Sequence, residues 1–394
     1  MSITSLKNRI IGQDIINIAC KNLFIPANNQ KRFAHDVIIR QRTHKPIVKF
    51  GAGGRSSVSG HVATVFGCTG FLGRYVVSKL AKRGTQVIVP YRDEDEKRHL
   101  KVNGDLGQVV PLEFDLRNEK NIHECVRNSD IVYNLVGRDY ETNNFTFEQV
   151  HVEGAARIAR ISREDGVARF VHVSSLNADK NSKSKFYKTK AYGEEAVRAE
   201  FPDATIVRPS VMHGAEDRFL NRLAGTTFEY VLNGGQTKCT PVHVNDVAAA
   251  LETILSDEST IGETYELYGP REYTHEQIYN LVDDILGSRR TQIYIPKMIA
   301  MIVAKLMHLP FISSYSPDDV ERAHINDKIT PLFIDKEQKE RNTAVKTFED
   351  LGILPKNLES TALSVLRYYR RSTFYDEPID KHTGKVRRGV YYTE

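Results

Sequence analysis

Between His61 and Val77 the chain reads HVATVFGCTGFLGRYVV, and this stretch limits what the rest can become. Val62, Ala63, Val65 and Phe66 form a short apolar run, the pattern of a strand covered on both faces. Gly67, Gly70 and Gly73 follow at G-x-x-G-x-x-G spacing, with Cys68, Thr69, Phe71 and Leu72 between them. From Gly73 the pattern turns helical, with Val76, Val77 and Leu80 on one side. A glycine triplet alone says little, but a strand before it and a helix after it make the turn of a dinucleotide-binding βαβ unit. Each glycine has its own steric reason. Gly67 makes the tight turn, Gly70 lets the backbone approach a pyrophosphate, and Gly73 lets helix and strand pack closely. Unbonded N–H groups and the positive dipole end at the helix start then hold the phosphates.

More strands follow at a βα rhythm. Gln86 to Tyr91 is the second, and Arg92 stands at its carboxyl end. An acid there would hold the ribose hydroxyls of NAD; an arginine faces the 2′-phosphate of NADP and stacks on the base. Acids Asp93 to Glu96 come one position late, so NADP(H) is the preferred nucleotide. Val109 to Phe114 is the third strand, ending in Asp115 and Leu116, placed to meet the adenine amino group by carboxylate and backbone. Asp130 to Leu135 is the fourth, with Asn134 near its end and Val136 and Gly137 bordering the ribose and nicotinamide. Arg169 to Ser175 is the fifth. Strands alternating with helices give a doubly wound α/β parallel sheet with right-handed crossovers. Gly67, Arg92, Asp115, Asn134 and Ser174 then share the carboxyl edge, where ligands bind.

The first sixty residues differ in kind. Ten lysines and arginines face only Asp14 and Asp36, and Leu6, Ile10, Ile11, Ile15 and Ile18 recur at helical spacing. A basic, amphipathic, acid-poor start has the form of a mitochondrial targeting segment, expected over residues 1–35. Residues 36–60, rich in Gly and Ser toward their end, read as an irregular basic extension. The net charge of +5 in 394 residues comes largely from this end, so the globular part is a poor nucleic-acid binder. Cys20, Cys68, Cys125 and Cys239 lack metal or disulfide spacing and suit a reducing compartment; no metal site is expected. No apolar run reaches membrane-spanning length. His213 and His243 read as structural histidines.

Several motifs together resemble the extended, atypical branch of the short-chain dehydrogenase/reductase superfamily over roughly residues 60 to 270. They are Thr69-Gly70-Phe71-Leu72-Gly73, Val173-Ser174-Ser175, Ser184-Lys185 to Glu194, Ile206-Val207-Arg208-Pro209, and Pro241 to Val247. The resemblance implies that Ser174, Lys190 and Pro209 line the cofactor. It also implies a tyrosine four residues before the lysine, which passes a proton to the substrate oxygen as hydride moves. That position is Phe186, which has no ionisable proton. Tyr187 is adjacent, but one residue turns a helical side chain by about 100°, away from that point unless a local bulge intervenes. No catalytic residues are therefore assigned.

Lys45-Pro46-Ile47 through Gly51 to Ser57, and Pro90-Tyr91-Arg92, narrow the resemblance. With the basic start, the chain resembles the Rossmann-fold accessory subunits of mitochondrial respiratory complex I. That resemblance implies tight NADPH binding without turnover and a matrix-side place among the other complex I subunits. It further implies support of assembly and stability near the junction of the peripheral and membrane arms. A free NADPH-dependent reductase or epimerase, acting on a nucleotide-sugar or quinone-like substrate, is the alternative. The Rossmann domain is expected over 61–270, a smaller C-terminal α/β lobe over 271–375, and a basic, aromatic tail over 376–394. In the lobe, Glu276 to Leu286 reads as a helix with an apolar face. Lys297 to Met307 reads as an apolar helix behind Pro296, packed in the lobe's core or else set against a membrane or subunit.

Overall fold

A computed structural model of the chain describes residues 36–39, 46–51, 54, 57–307, 316–329 and 345–370. The targeting segment expected over 1–35 and the tail over 376–394 lie outside the described residues. The segment expected to be irregular contains an antiparallel pair, Asp36–Ile39 against Pro46–Lys49. The β-branched residues Val37, Ile38, Ile39, Ile47 and Val48 favour extended backbone, and pairing gives their peptide groups partners.

Seven parallel strands form the main sheet. They are β1 (Val62–Phe66), β2 (Gln86–Tyr91), β3 (Val109–Glu113), β4 (Ile131–Asn134), β5 (Arg169–Val173), β6 (Thr205–Pro209) and β7 (Thr264–Leu267). Their spatial order is β3-β2-β1-β4-β5-β6-β7. The order reverses between β1 and β4, the switch point outside which ligands bind in such sheets. Alternation along the strands feeds two cores. Val65, Tyr133 and Val171 face α1 (Phe71–Lys82) and α5 (Val244–Ser256), where Val76, Leu80, Val247 and Leu251 are fully buried. Phe66, Val132 and Phe170 face α2 (Glu119–Val126), α3 (Gly154–Glu164) and α4 (Lys185–Glu200), through Ile122, Ile158 and Val197. One π-turn, Gln149–Glu153, leads into α3.

The smaller lobe draws on both sides of residue 270. Leu220 and Cys239 share its core with Ile278, Val282 and Ile285 of α6 (His275–Leu286) and with Leu358, Ala362 and Leu366 of α9 (Leu358–Leu366). A capping box of Thr274 and Gln277 starts α6, and Gly287 at φ +68° ends it. Between α6 and α9 the chain revisits the main sheet: Lys346 bridges to Tyr265 and Phe348 enters the first core.

Helix α7 (Lys297–Met307) is not a core helix. Ala300 and Ala304 are buried beside Leu232 and Val320, while Met298, Ile299, Ile302 and Val303 are exposed. The lobe's core is filled by α6 and α9, and among the described residues α7 packs through Ala300, Met301 and Ala304. Val320 belongs to the short α8 (Pro317–Arg322).

Candidate nucleotide site

The glycine turn is as tight as its sequence implied. Gly67 has φ +80°, and a β-carbon there would lie 3.0 Å from the Leu135 carbonyl. Glycine adopts this backbone without penalty. At Gly73 a β-carbon would come within 2.3 Å of the Gly67 oxygen, so helix and turn touch because a side chain is missing. Gly70 is the N-cap of α1 and supplies no side-chain cap. The first N–H groups of α1 are therefore left without a side-chain cap, at the positive end of the helix dipole. Phe71 leans on Gly214, Leu72 is buried, and the Thr69 carbonyl accepts from Arg74 Nε at 3.1 Å.

The neighbouring strand ends supply the rest of the wall. Arg92 is exposed at the end of β2 and Asp115 at the end of β3, where one Asp115 oxygen accepts the Arg117 N–H at 3.0 Å. Leu116 is buried against Gly154, and its carbonyl accepts from Arg157 at 2.8 Å. Asn134 is buried. Its oxygen accepts the Val136 N–H at 3.1 Å and its amide faces His172 Nδ1 at 3.3 Å, so it shapes the wall from behind. Gly137 lies directly over Lys190, where a β-carbon would sit 3.2 Å from Nζ.

Lys190 is buried, and its ammonium donates to the Val173 carbonyl at 3.2 Å. Burial lowers its pKa to about 8, against the opposing pull of Asp139 and Glu194. Behind it stands His151, which the sequence reading did not single out. The π-turn presents its imidazole to the Arg138 N–H (3.2 Å to Nε2) and to Thr189 Oγ1 (3.0 Å from Nδ1). With Nε2 accepting, Nδ1 carries the proton. Burial, and then the Lys190 charge, push His151 down to about 2 and His172 to about 3, so both rings are neutral at ordinary pH.

Ser174 Oγ and His172 Nε2 are buried polar atoms with no hydrogen-bond partner among the described residues. Such atoms cost about 1–3 kcal/mol each unless a ligand meets them. The glycine cradle, the orphaned Ser174 hydroxyl and an ammonium with hydrogens to spare fit a nicotinamide dinucleotide. Gly67, Gly70 and Gly73 would take its phosphates, Arg92 and Asp115 its adenosine end, and Val136, Gly137, Ser174, Lys190 and Pro209 its nicotinamide half.

Phe186 belongs to an aromatic cluster. The half-buried Phe186 ring meets His151 edge-on at 5.2 Å, and the Arg322 guanidinium lies 4.7 Å over its face. Tyr187 is buried on another side of α4, with its hydroxyl 3.5 Å from Asn177 Nδ2. Its ring centre lies 5.5 Å from that of Phe186. His213 and His243 pack ring to ring at 5.2 Å; His213 meets Thr361 at 2.8 Å and His243 caps α5. Arg322, Asp327 and Asn177, all at the mouth, were not legible as site residues, because their neighbours are distant in sequence.

Comparison with known proteins agrees with this geometry. A protein-family model described as NAD(P)H-binding matches residues 67–258. The mitochondrial NADH-ubiquinone oxidoreductase 40 kDa subunit of Neurospora crassa is 50% identical over 353 residues, 89% of this chain and 90% of that protein. Mitochondrial NADH dehydrogenase [ubiquinone] 1 alpha subcomplex subunit 9 of Rattus norvegicus is 42% identical over 350 residues, 86% and 89% of the two chains. Among solved structures, the triphenylmethane reductase of Citrobacter sp. matches with a TM-score of 0.58 at 18% identity, over 78% of this chain and 99% of that one. At that identity the likeness shows the fold alone.

Proposed function

The chain belongs to the family of the 40 kDa subunit of mitochondrial NADH-ubiquinone oxidoreductase, and from that premise we propose that it is a non-catalytic, NADPH-holding accessory subunit of complex I. The observation that carries the non-catalytic reading is Phe186, wedged between His151 and Arg322 where a proton donor would stand. A bound reduced nicotinamide supplies hydride; a carbonyl acceptor then needs a proton, and this position has none to give. The geometry of Tyr187, turned toward Asn177, gives the alternative of a free reductase no support.

The preference for NADPH over NADH rests on Arg92 at the end of β2, where a guanidinium suits a 2′-phosphate. The nucleotide's role is structural. A ligand bound only by the folded chain stabilises it by about 4 kcal/mol at a thousandfold excess over Kd. Other complex I subunits are the partners. The place is the matrix side of the inner membrane, supporting assembly and stability near the junction of the two arms. The exposed apolar residues of α7 favour a contact there with a membrane-arm subunit or the membrane surface.

A native gel of mildly solubilised mitochondrial membranes, probed for this chain, tests the assignment. Co-migration with NADH dehydrogenase activity is expected. Migration of the whole pool as a free monomer or dimer would remove the proposal.

A further inference from the structure

Residues 316–329 bond to Asp139, Asn177 and Ser210, which follow the carboxyl ends of β4, β5 and β6. We propose that this segment is a built-in strap: it occupies the substrate side of the crevice and controls release of the nucleotide. The inference rests on the NADPH-holding reading and adds to it what fills the rest of the cleft.

The strap is tied at both ends and in the middle. Asp318 accepts from Ser184 Oγ and from the Lys185 N–H, each at 2.8 Å, and so caps the helix that carries Phe186 and Lys190. Arg322 covers Phe186, donates to the Asp139 carbonyl at 3.0 Å and pairs with Asp319. Asp327 accepts from Asn177 Nδ2 at 2.7 Å, Ser210 Oγ at 2.7 Å, the Thr240 N–H at 2.9 Å and Thr240 Oγ1 at 3.1 Å. The other end of the Asn177 amide accepts the Lys328 N–H at 2.9 Å.

These contacts select one arrangement. Asn177 and Ser210 follow β5 and β6, and their buried polar side-chain atoms bond the strap at Asp327 and Lys328. The Asp327 carboxylate is held there by neutral donors, which is tolerable only while all of them are in place. Opening the strap at one tie therefore leaves several buried groups unpaired, so the segment is expected to open and close as a unit. While closed, it leaves no room over Phe186, where Arg322 lies. A nucleotide whose nicotinamide half is seated beneath must wait for the strap to open.

The test is NADPH release from the full chain. Protein loaded with NADPH is chased with excess unlabelled NADP⁺, and loss of bound reduced-nicotinamide fluorescence is followed. Arg322→Leu and Asp327→Asn are expected to release NADPH about tenfold faster than wild type, the scale of one lost charge-assisted hydrogen bond. Release within twofold of wild type in both folded variants would overturn the strap. If either variant fails to fold, hydrogen exchange on the wild type decides. The Asp319, Ala323 and Asp327 amides are expected to exchange more slowly with NADPH bound, and indifference to the nucleotide would overturn the proposal. A wild-type chain that takes up no NADPH would remove the parent reading along with the strap; uptake with strap-independent release would remove the strap alone.

Discussion

The two halves of the crevice are built by opposite means. On the phosphate side the chain uses backbone and absence: three glycines, unbonded helix N–H groups and one exposed arginine, all within or next to a single βα turn. On the substrate side it uses side chains from far away: Asp318, Arg322 and Asp327 reach residues more than a hundred positions earlier in the sequence. The first half is open to a ligand and the second is filled by the protein itself. A reductase needs both halves open. A chain that holds its nucleotide as a part needs only the first, and the contrast between them is the physical form of that difference.

The largest expected effect comes from the open half. Gly73→Ala drives a β-carbon into the Gly67 oxygen, so turn and helix must separate. NADPH binding should fall by on the order of a hundredfold or more, and the chain should lose ~3 kcal/mol, read by thermal unfolding. An unchanged melting temperature would contradict the close contact of turn and helix at Gly73. Arg92→Asp comes next. NADPH affinity should drop on the order of tenfold to a hundredfold while NADH affinity changes by less than about threefold, measured by fluorescence titration. Equal losses would sever the link between Arg92 and the 2′-phosphate.

Lys190 sits where the two halves meet, and pH sharpens its role. Its folded-state pKa is lowered to about 8, below that of an ordinary lysine. In the window above about pH 8 the unfolded chain keeps this proton and the folded chain sheds it, so this group makes stability rise with pH there. Nucleotide affinity should move the other way, falling above about pH 8 as the ammonium is lost. Lys190→Met should lose about tenfold in affinity at pH 7 and abolish the pH trend. Melting and binding curves that shift in the same direction would contradict the assignment. The smallest effect is expected in the filled half. Phe186→Tyr restores a hydroxyl but leaves Arg322 over the ring, so NADPH oxidation with a panel of carbonyl compounds should stay at background. Turnover by this single variant would mean that the substrate side is open.

The same division decides how much the sequence could say. The turn, the strand ends and the lysine of α4 were legible because their logic is local: glycine spacing, apolar runs, and one residue at the end of each strand. β2 runs from Gln86 to Tyr91 as its pattern implied, and α7 begins directly after Pro296. What the pattern missed is long-range. Nothing near Asp327 announces that Asn177, Ser210 and Thr240 will meet it. His151 is hidden in a π-turn, a local irregularity that a helical period does not carry. The exposure of α7 depends on a neighbouring core that is already full, which its own apolar residues do not reveal. Leu220 and Cys239 belong to the smaller lobe through tertiary packing, so a boundary drawn along the chain divides what the fold joins.

The central claim is that the nucleotide is held and not consumed. Full-length protein loaded with NADPH would be incubated with quinones and the carbonyl panel, then denatured and its nucleotide counted and assayed for redox state. About one NADPH per chain, still reduced, is the predicted result. Oxidation at the rates of ordinary enzymes, on the order of 1–1,000 s⁻¹, would contradict it and return Tyr187 and the strap to the search for a proton donor.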